Sequence, residues 1–338
     1  MTGPAADPAS FLERHGLGTA ARRPLAGDAS ARRYERVSDA GGTTRILVAT
    51  PDPAGDLVPF IAIGGLLDRL GFSVPRVLVA DTATGLALLE DFGDDTFSRL
   101  AGAGDEDAEA LYALATDVLA ELHGRFRPEH AAGLALPVYD AGLFLDQVML
   151  FADVYPAAVG CPLSQTARRD LEAAWRAVLP AACAGPVSLL LRDYHTDNLM
   201  RLDRPGVRAA GLLDFQNAGV GPVAYDLVSL LEDARRDVPD DRAERMIARY
   251  LSARPECDPA AFRRSCAVLG AVRHARVLAI FVRLAGQGKP AYLAHLPRVR
   301  RLLDRRLRQP ALAPVADWFD RHLPPHLRAD FVIPEPTQ

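Results

Sequence analysis

The sequence predicts an α+β protein in which a small N-terminal lobe of strands precedes a larger and mostly helical C-terminal lobe. Short alternating apolar runs bounded by turns fill much of residues 22–90, whereas helical patterns dominate the chain after residue 94. Two short apolar runs interrupt those helices near the middle of the chain. At 338 residues and 49% hydrophobic content, the chain can bury a sizeable core in each lobe.

The N-terminal lobe is predicted to occupy residues 1–93. It begins with a short helix over 10–17, for which Ser10 is the expected N-cap. A turn at 27–30 and the pair Gly41-Gly42 delimit a hairpin of strands. The predicted strands are 33–37, 45–49, 77–80 and 87–90, with a helix over 57–70 between the second and the third.

The C-terminal lobe is predicted to occupy residues 94–338 and to consist mainly of helices. The helical patterns cover 105–123, 140–154, 164–182, 223–236, 240–252, 259–286 and 292–308. The two interrupting strands are expected at 187–191 and 209–213, and a short returning strand follows residue 198. A small lobe joined to a larger helical lobe predicts a ligand site in the cleft between them.

Three polar residues follow the interrupting strands at a spacing that suits phosphoryl transfer. Asp193 comes just after the first strand, Asn198 lies five residues later, and Asp214 directly follows the second strand. In Mg-ATP phosphotransferases an Asp orients the attacking hydroxyl, while an Asn and a second Asp hold the metal. The spacing therefore predicts Asp193 as the catalytic residue and Asn198 and Asp214 as Mg²⁺ ligands.

Aspartate and asparagine are also ordinary turn residues, which is the alternative interpretation of these positions. The chain contains only two asparagines, Asn198 and Asn217, and both fall within this one window. Together with the flanking strands and Asp214, that coincidence favours the catalytic interpretation.

Charge and hydropathy exclude several classes of protein. A net charge of −4 gives no overall electrostatic reason to bind nucleic acid or an anionic membrane. Residues 1–8 lack the basic and apolar regions of a signal peptide, and no uninterrupted run of about 18 apolar residues occurs. We therefore expect a cytoplasmic protein with no nucleic-acid, membrane or obligate protein partner.

Several blocks of the sequence resemble the aminoglycoside phosphotransferase and choline kinase group of protein-kinase-like folds. They are residues 27–34, 88–94, 191–198, 213–238 and 280–299. The catalytic blocks are typical of the whole group. The 30–34 loop, the Asp-Ala-Arg-Arg segment at 233–236 and the C-terminal block are similar to the kinases that phosphorylate N-acetylmuramate and N-acetylglucosamine at the anomeric hydroxyl during cell-wall recycling.

The resemblance implies a bilobal protein-kinase-like fold, with ATP and Mg²⁺ as cofactors and a sugar 1-phosphate as product. It implies nucleotide-binding roles for Ser30, Arg32, Arg33, Glu90 and Phe92, with adenine held at a hinge between the lobes over residues 89–93. It also implies substrate-binding roles for His195, Asp233, Arg235, Arg236, Arg273 and Arg276. Most charged helix residues face solvent, which is the alternative for the arginines of this lobe. One or two of them are nonetheless expected to meet the carboxylate that N-acetylmuramate carries and N-acetylglucosamine lacks; the candidates are Arg235, Arg236, Arg273, Arg276 and Arg283.

Two positions depart from the pattern of this group. Lys289, the single lysine of the chain, lies in the helical lobe, although a kinase of this fold normally places a strand lysine on the phosphates. Since a guanidinium forks onto two phosphate oxygens, Arg32 or Arg33 is the expected replacement, and a solvated hairpin arginine is the alternative for each. Asn217 stands where an acidic residue is expected near the metal ligands.

Two other functions stay open at this point. The first is another small-molecule kinase of the same fold, acting on an aminoglycoside, choline or homoserine. Cationic acceptors call for an acidic cleft, whereas the helical lobe offers arginines at 235–236 and within 273–283. The second is a non-catalytic nucleotide-binding scaffold, which only the missing strand lysine supports.

Overall fold

The computed structural model describes residues 7–25, 31–102, 104–324 and 326. The chain forms two compact units. The first comprises residues 1–118, 127–135 and 196–218, and the second comprises 119–126, 136–195 and 219–338. The first unit thus includes a middle segment of the chain, 196–218, in addition to the N-terminal residues.

The first unit is built on an antiparallel five-stranded sheet with strand order β1-β2-β3-β5-β4. Its strands are β1 (Ala21–Pro24), β2 (Arg33–Ser38), β3 (Thr44–Ala49), β4 (Val77–Asp81) and β5 (Leu86–Glu90). Its short helices are α1 (Pro8–Arg14), α2 (Val58–Arg69) and α3 (Phe97–Ala101). A longer helix, α4 (Asp105–Arg125), begins in this unit.

Alternation along the strands gives the sheet two apolar faces. Leu47 of β3 packs with Phe11 and Leu12 of α1 on one face. Val48, the next residue, packs on the other face with Leu57 and residues of α2. Because successive strand side chains point to opposite faces, one strand supplies both cores.

A second, two-stranded sheet in this unit carries the middle segment of the chain. It pairs β7 (Leu199–Arg201) with β8 (Ala210–Leu212). Backbone hydrogen bonds join it to the N-terminal residues, since Leu212 N donates to Ser73 O at 2.8 Å and Arg201 N donates to Asp95 O at 2.7 Å. These bonds explain why residues 196–218 belong to the first unit although the predicted lobe boundary follows residue 93.

The second unit is mostly helical. Its helices are α5 (Ala141–Ala158), α6 (Gln165–Cys183), α7 (Ala224–Leu231), α8 (Asp240–Ala253), α9 (Pro259–Gly286), α10 (Leu296–Leu307) and α11 (Ala313–His322). A small sheet pairs β6 (Val187–Leu190) with β9 (Gly219–Pro222). Helix α9 is long and apolar enough to cross a membrane, but 83% of its most apolar window is buried within the protein, as in a core helix.

A buried charge network fixes the end of α7 against α9 and α10. Glu232 is only 4% exposed and accepts hydrogen bonds from His274 Nε2 at 2.6 Å, Arg305 Nη2 at 2.8 Å and Arg306 Nε at 3.0 Å. Burial raises the pKa of Glu232, but the hydrogen bond from His274 and the two arginine charges outweigh it and lower that pKa to about 2. Burial lowers the pKa of His274, whereas its hydrogen bond to Glu232 and the charge of that carboxylate act in the opposite direction.

Most predicted elements are confirmed, with differences at their ends. Ser10 is not the N-cap of α1; the Asp7 side chain accepts from Ala9 N and Ser10 N, so the helix begins two residues earlier than predicted. Helix α7 stops at Leu231 rather than 236, because Glu232 leaves the helical conformation to join its charge network. The prediction did not include β1, β9, α3 or α11.

Candidate active site

The predicted metal ligands lie at one end of the β7–β8 sheet. The register pairs Leu199 with Leu212, and Leu213 N then donates to Asn198 O at 3.0 Å. Asn198 and Asp214 therefore flank the same end of a two-stranded ladder. The sheet register, and not sequence separation, brings these two residues together.

Asp214 is held in an unusual backbone conformation. Its φ is 55°, in the left-handed region that non-glycine residues seldom adopt. Gln216 Nε2 donates to Asp214 Oδ1 at 2.8 Å, and the ring of Phe215 stacks on Phe60 of α2 with centroids 4.8 Å apart. The neighbouring packing thus determines the direction in which the Asp214 carboxylate leaves the backbone.

The chemistry of Asn198 and Asp214 fits a magnesium ion. Both side chains offer oxygen, which is the donor that Mg²⁺ prefers, and both are partly exposed. The Asp214 side chain is 33% exposed, which leaves room for the waters that Mg²⁺ usually retains. Asn217 is exposed, so the residue that braces the metal ligand is Gln216.

Arg32 approaches the same carboxylate. Its Nη2 donates to Asp214 Oδ1 at 2.5 Å, and its Nε lies 3.9 Å from Asp56 Oδ1. The guanidinium lies over the ring of Tyr34, 6.0 Å from the centroid, and its side chain is 11% exposed. Arg33, by contrast, is exposed at the start of β2, and Ser30 lies outside the described residues.

An arginine of β2 clamps the segment at 90–94, which overlaps the 89–93 hinge predicted to hold adenine. Arg36 donates to both oxygens of Asp91 at 2.5 and 3.0 Å, to both oxygens of Asp94 at 2.8 and 2.9 Å, and to Gly93 O at 3.0 Å. Arg36 is only 9% exposed. A buried guanidinium with five such bonds fixes the backbone of the segment, because Arg is planar and rigid at its donor end.

Glu90 and Phe92 make contacts within the first unit. Glu90 accepts from Arg204 Nη2 at 2.7 Å and from Arg76 Nε at 3.3 Å. The Arg204 guanidinium lies over the Phe92 ring, 5.3 Å from its centroid, and the ring lies close against Gly211. The Glu90 carboxylate is thus engaged by two arginines of the same unit.

In the second unit, the loop that carries Asp193 is anchored by Asp226 of α7. The fully buried Asp226 carboxylate accepts from Leu191 N at 2.5 Å and Arg192 N at 2.9 Å. Burial raises the pKa of Asp226 to about 6, although these two hydrogen bonds act in the opposite direction. Asp226 therefore shapes the backbone immediately before Asp193, the predicted catalytic residue.

Arg192 also has a left-handed backbone, with φ 74°. Its guanidinium lies between two aromatic rings, 4.1 Å from the Tyr139 centroid and 4.7 Å from the Tyr225 centroid, and Nη2 donates to Gln147 Oε1 at 3.0 Å. These contacts are of the cation–π kind and turn the Arg192 side chain into the core. Asp193, the next residue, is half-buried.

Polar side chains from the segment after α7 and from α9 gather beside His195. Arg235 Nη1 lies 3.5 Å from His195 Nε2, and polar atoms of His195 and Asp233 lie within 4.8 Å of each other. Burial lowers the pKa of His195. The charge of Asp233 raises this pKa and the charge of Arg235 lowers it, and the charges of Asp193 and Arg273 also affect it. Asp193, His195, Asp233, Arg235 and Arg273 therefore share one neighbourhood of the second unit.

Oδ2 of Asp233 and Nη1 of Arg273 are buried in this neighbourhood without a hydrogen-bond partner among the described residues. Asp233 is 1% and Arg273 5% exposed. Their other atoms are engaged, since Asp233 Oδ1 accepts from Arg235 N at 2.9 Å and Arg273 Nε donates to Ser229 Oγ at 3.0 Å. Leaving such groups unsatisfied is costly, which points to a polar ligand.

The other two predicted substrate residues lie apart from each other. Arg276 is half-buried, and its charge, together with those of Arg192 and Asp193, acts on the hydroxyl of Tyr139, whose pKa burial raises. Arg236 instead lines a groove of about 310 Å³, together with the neighbouring Asp237 and with Arg298 and other residues of α10. Neither Asp193 nor His195 lines that groove.

Sequence reasoning missed three residues that support the site. Arg36 clamps the 90–94 segment, Gln216 braces Asp214, and Arg192 takes the left-handed conformation before Asp193. Arg36 had no usable signal, because a charged residue in a strand is compatible with solvent as well as with a buried partner. Gln216 and Arg192 had no signal beyond their positions in the catalytic motifs.

Known proteins resemble the chain along almost its entire length. Residues 21–262 match a phosphotransferase enzyme family (APH). An N-acetylmuramate/N-acetylglucosamine kinase of Caulobacter vibrioides is 36% identical over 95% of this chain and 97% of its own length. A kinase of the same name from Pseudomonas aeruginosa is 33% identical, covering 87% of this chain and 86% of its own.

A solved structure supports the fold. An ADP-bound aminoglycoside phosphotransferase, APH(2'')-Ib, superimposes with a TM-score of 0.61 at 14% identity, covering 93% of this chain and 99% of its own. The predicted kinase-like α+β fold and the predicted family resemblance are confirmed by these similarities. The chain belongs to the phosphotransferase enzyme family, in the group of its N-acetylmuramate/N-acetylglucosamine kinase relatives.

Proposed function

We propose that this protein transfers the γ-phosphoryl group of ATP to the anomeric hydroxyl of N-acetylmuramate and N-acetylglucosamine. The observation that carries the proposal is the similarity to kinases named for these two sugars, which extends over nearly the whole chain and not only over the catalytic motifs. The product is a sugar 1-phosphate, and the cytoplasm, where ATP is made, is the proposed location.

On the nucleotide side, the residues of the first unit bind and neutralise charge. Asn198 and Asp214 hold Mg²⁺, which supplies positive charge to the phosphate oxygens. Arg32 is the proposed replacement for the strand lysine, because its guanidinium already lies at the metal-binding carboxylate whereas Arg33 is exposed. The 90–94 segment, held by Arg36, is the proposed adenine site.

On the acceptor side, Asp193 accepts a hydrogen bond from the anomeric hydroxyl and orients that oxygen for in-line attack. Phosphoryl transfer requires little covalent chemistry from the protein. Its rate depends on positioning the reactants and on neutralising the charge of the phosphate oxygens. Asp226 supports this step, because it fixes the backbone at Leu191 and Arg192.

Sugar binding is proposed for the buried polar groups around His195. Asp233 Oδ2 is suited to accept from a sugar hydroxyl and Arg273 Nη1 to donate to a sugar oxygen. Arg276 is the favoured partner of the lactyl carboxylate, since it is half-buried and its charge acts near Asp193. A charged hydrogen bond of this kind is worth about 1.5 to 3 kcal/mol, or about tenfold or more in kcat/KM for N-acetylmuramate.

An ADP-release assay over both sugars, choline, homoserine and an aminoglycoside tests the proposal, with the site of phosphorylation read by phosphorus NMR. Asp193→Asn and Asp214→Asn should each abolish turnover while the fold is retained. Asp170→Asn, an exposed change of the same kind on α6, is the matched control. Turnover of choline or an aminoglycoside without turnover of either sugar would leave only the broader kinase assignment, and no ATP turnover would favour the scaffold.

Acceptor preference is tested separately. Arg276→Gln should lower the ratio of kcat/KM for N-acetylmuramate over N-acetylglucosamine by about tenfold and leave N-acetylglucosamine turnover nearly unchanged. Arg264→Gln removes the same charge from an exposed position of the same helix and serves as the control. An unchanged ratio in Arg276→Gln, and in single alanine variants of Arg235, Arg236, Arg273 and Arg283, would refute carboxylate recognition by these residues.

A further inference from the structure

The Arg32–Asp214 ion pair places a guanidinium on a carboxylate that the proposed function assigns to Mg²⁺. We propose that Arg32 acts as an exchangeable counter-cation of Asp214, which it leaves for the nucleotide phosphates when metal and nucleotide bind. The proposal rests on the proposed function and adds to it a coupling between two binding events: phosphate draws Arg32 away, and the carboxylate then becomes available to the metal.

One carboxylate oxygen of Asp214 already accepts two hydrogen bonds. Asp214 Oδ1 accepts from Arg32 Nη2 at 2.5 Å and from Gln216 Nε2 at 2.8 Å. A carboxylate oxygen offers about two lone-pair directions, so these two donors fill that oxygen. A divalent cation at the same oxygen requires one donor to withdraw. Even at the second oxygen, the cation would lie close to a like charge on Arg32, which is unfavourable in a partly buried site.

Of the two donors, Arg32 can withdraw from Asp214 more readily than Gln216 can. Gln216 is 5% exposed and adjacent in sequence to the stacked Phe215, so its position is fixed by packing. Arg32 approaches from a different part of the chain, 182 residues away, and its long side chain also comes within 3.9 Å of Asp56. A guanidinium pairs with phosphate as well as with carboxylate, so Arg32 can exchange one anionic partner for the other.

The exchange couples the affinity for metal to the affinity for nucleotide. If nucleotide removes a cation that competes with the metal, nucleotide strengthens metal binding, and the metal must strengthen nucleotide binding by the same factor. A static bridge that only holds the 31–32 segment near the β7–β8 sheet would not behave in this way. Removing the bridge would then weaken or leave unchanged the binding of metal, with or without nucleotide.

Mn²⁺ titration followed by electron paramagnetic resonance of the free ion distinguishes these cases without measuring turnover. Without nucleotide, Arg32→Gln should bind Mn²⁺ about fivefold more tightly than the parent protein, the factor expected when a partly exposed ion pair no longer competes. With saturating ADP, the parent protein should gain more affinity for Mn²⁺ than Arg32→Gln does. Arg32→Lys, which keeps a cation but loses the fork, should fall between them.

Two controls make the titration specific. Arg22→Gln removes an arginine from another ion pair of the same unit, with Glu35 at 2.7 Å, and should bind Mn²⁺ as the parent protein does. Asp214→Asn should lose the site in both titrations. If Arg32→Gln binds Mn²⁺ no more tightly without nucleotide while Asp214→Asn loses the site, the exchange is wrong and the metal assignment survives. If Asp214→Asn retains full Mn²⁺ affinity, both the exchange and the metal assignment fall.

Discussion

Replacing Asp226 by asparagine should separate the stability of the second unit from the positioning of its catalytic loop. The carboxylate accepts from two buried backbone N–H groups, those of Leu191 and Arg192. Asparagine keeps one acceptor oxygen and turns an amide N–H₂ towards the other donor. An unsatisfied buried donor costs about 1 to 3 kcal/mol in the free energy of unfolding.

The lost negative charge acts in the opposite direction, and its effect depends on pH. Burial raises the pKa of Asp226 from 3.8 to about 6, which corresponds to about 3 kcal/mol. The folded protein holds this proton more tightly than the unfolded chain does, so the contribution is fully present below about pH 4 and is lost as the pH rises through about 6. The asparagine variant lacks this titration. Relative to the parent protein, it should therefore be least stable near pH 4 and should gain about 3 kcal/mol by pH 8.

Activity should not recover with stability. Because Asp226 fixes the backbone before Asp193, we expect kcat of Asp226→Asn to stay about 10²-fold low at pH 8, where the two proteins are nearly equally stable. Urea unfolding at several pH values from 4 to 8, with kcat measured at the upper end, checks both parts; Asp170→Asn is again the control. A stability difference that stays constant over this range would refute the raised pKa, and parental kcat would refute the positioning role.

Three further outcomes are expected. Glu232→Gln should lower the free energy of unfolding by about 3 kcal/mol in urea titrations, since it leaves Arg306 and His274 buried beside a neutral amide; a change below 1 kcal/mol would contradict the network. Arg36→Gln should raise the KM for ATP about tenfold without changing the KM for sugar, and an effect on sugar alone would exclude the clamp. Gln216→Ala should raise the Mg²⁺ concentration for half-maximal rate about fivefold, and an unchanged requirement would show that Gln216 does not brace Asp214.

The sequence was sufficient to predict the elements whose cause is local. The strands β2, β3 and β5 and the long helix α9 follow from the spacing of their apolar residues. The same spacing predicted that Asp193, Asn198 and Asp214 would lie next to the ends of short strands. The N-cap of α1 was misplaced because Asp7 and Ser10 are both good caps. Only the hydrogen bonds to Ala9 and Ser10 distinguish them.

Contacts between distant parts of the chain could not be predicted in the same way. Arg36 meets Asp91 and Asp94 across more than 50 residues, and the pairing depends on where β2 lies in the sheet. Arg32 meets Asp214 across 182 residues. No periodic pattern encodes such pairs, since a charged residue in a strand is compatible with solvent as well as with a buried partner.

The two left-handed residues have a practical consequence for protein engineering. Among the described residues, Arg192 and Asp214 are the only non-glycine residues with positive φ, and both adjoin predicted catalytic or metal-binding functions. Such conformations cost about 1 to 3 kcal/mol, which glycine would largely relieve. A campaign that selects variants for thermal tolerance alone would therefore favour glycine at both positions. It would discard the proposed metal-binding carboxylate of Asp214 and the Arg192 side chain that packs just before Asp193. Libraries for this enzyme should hold these two codons fixed, or screen for ADP release at the same time as heat resistance.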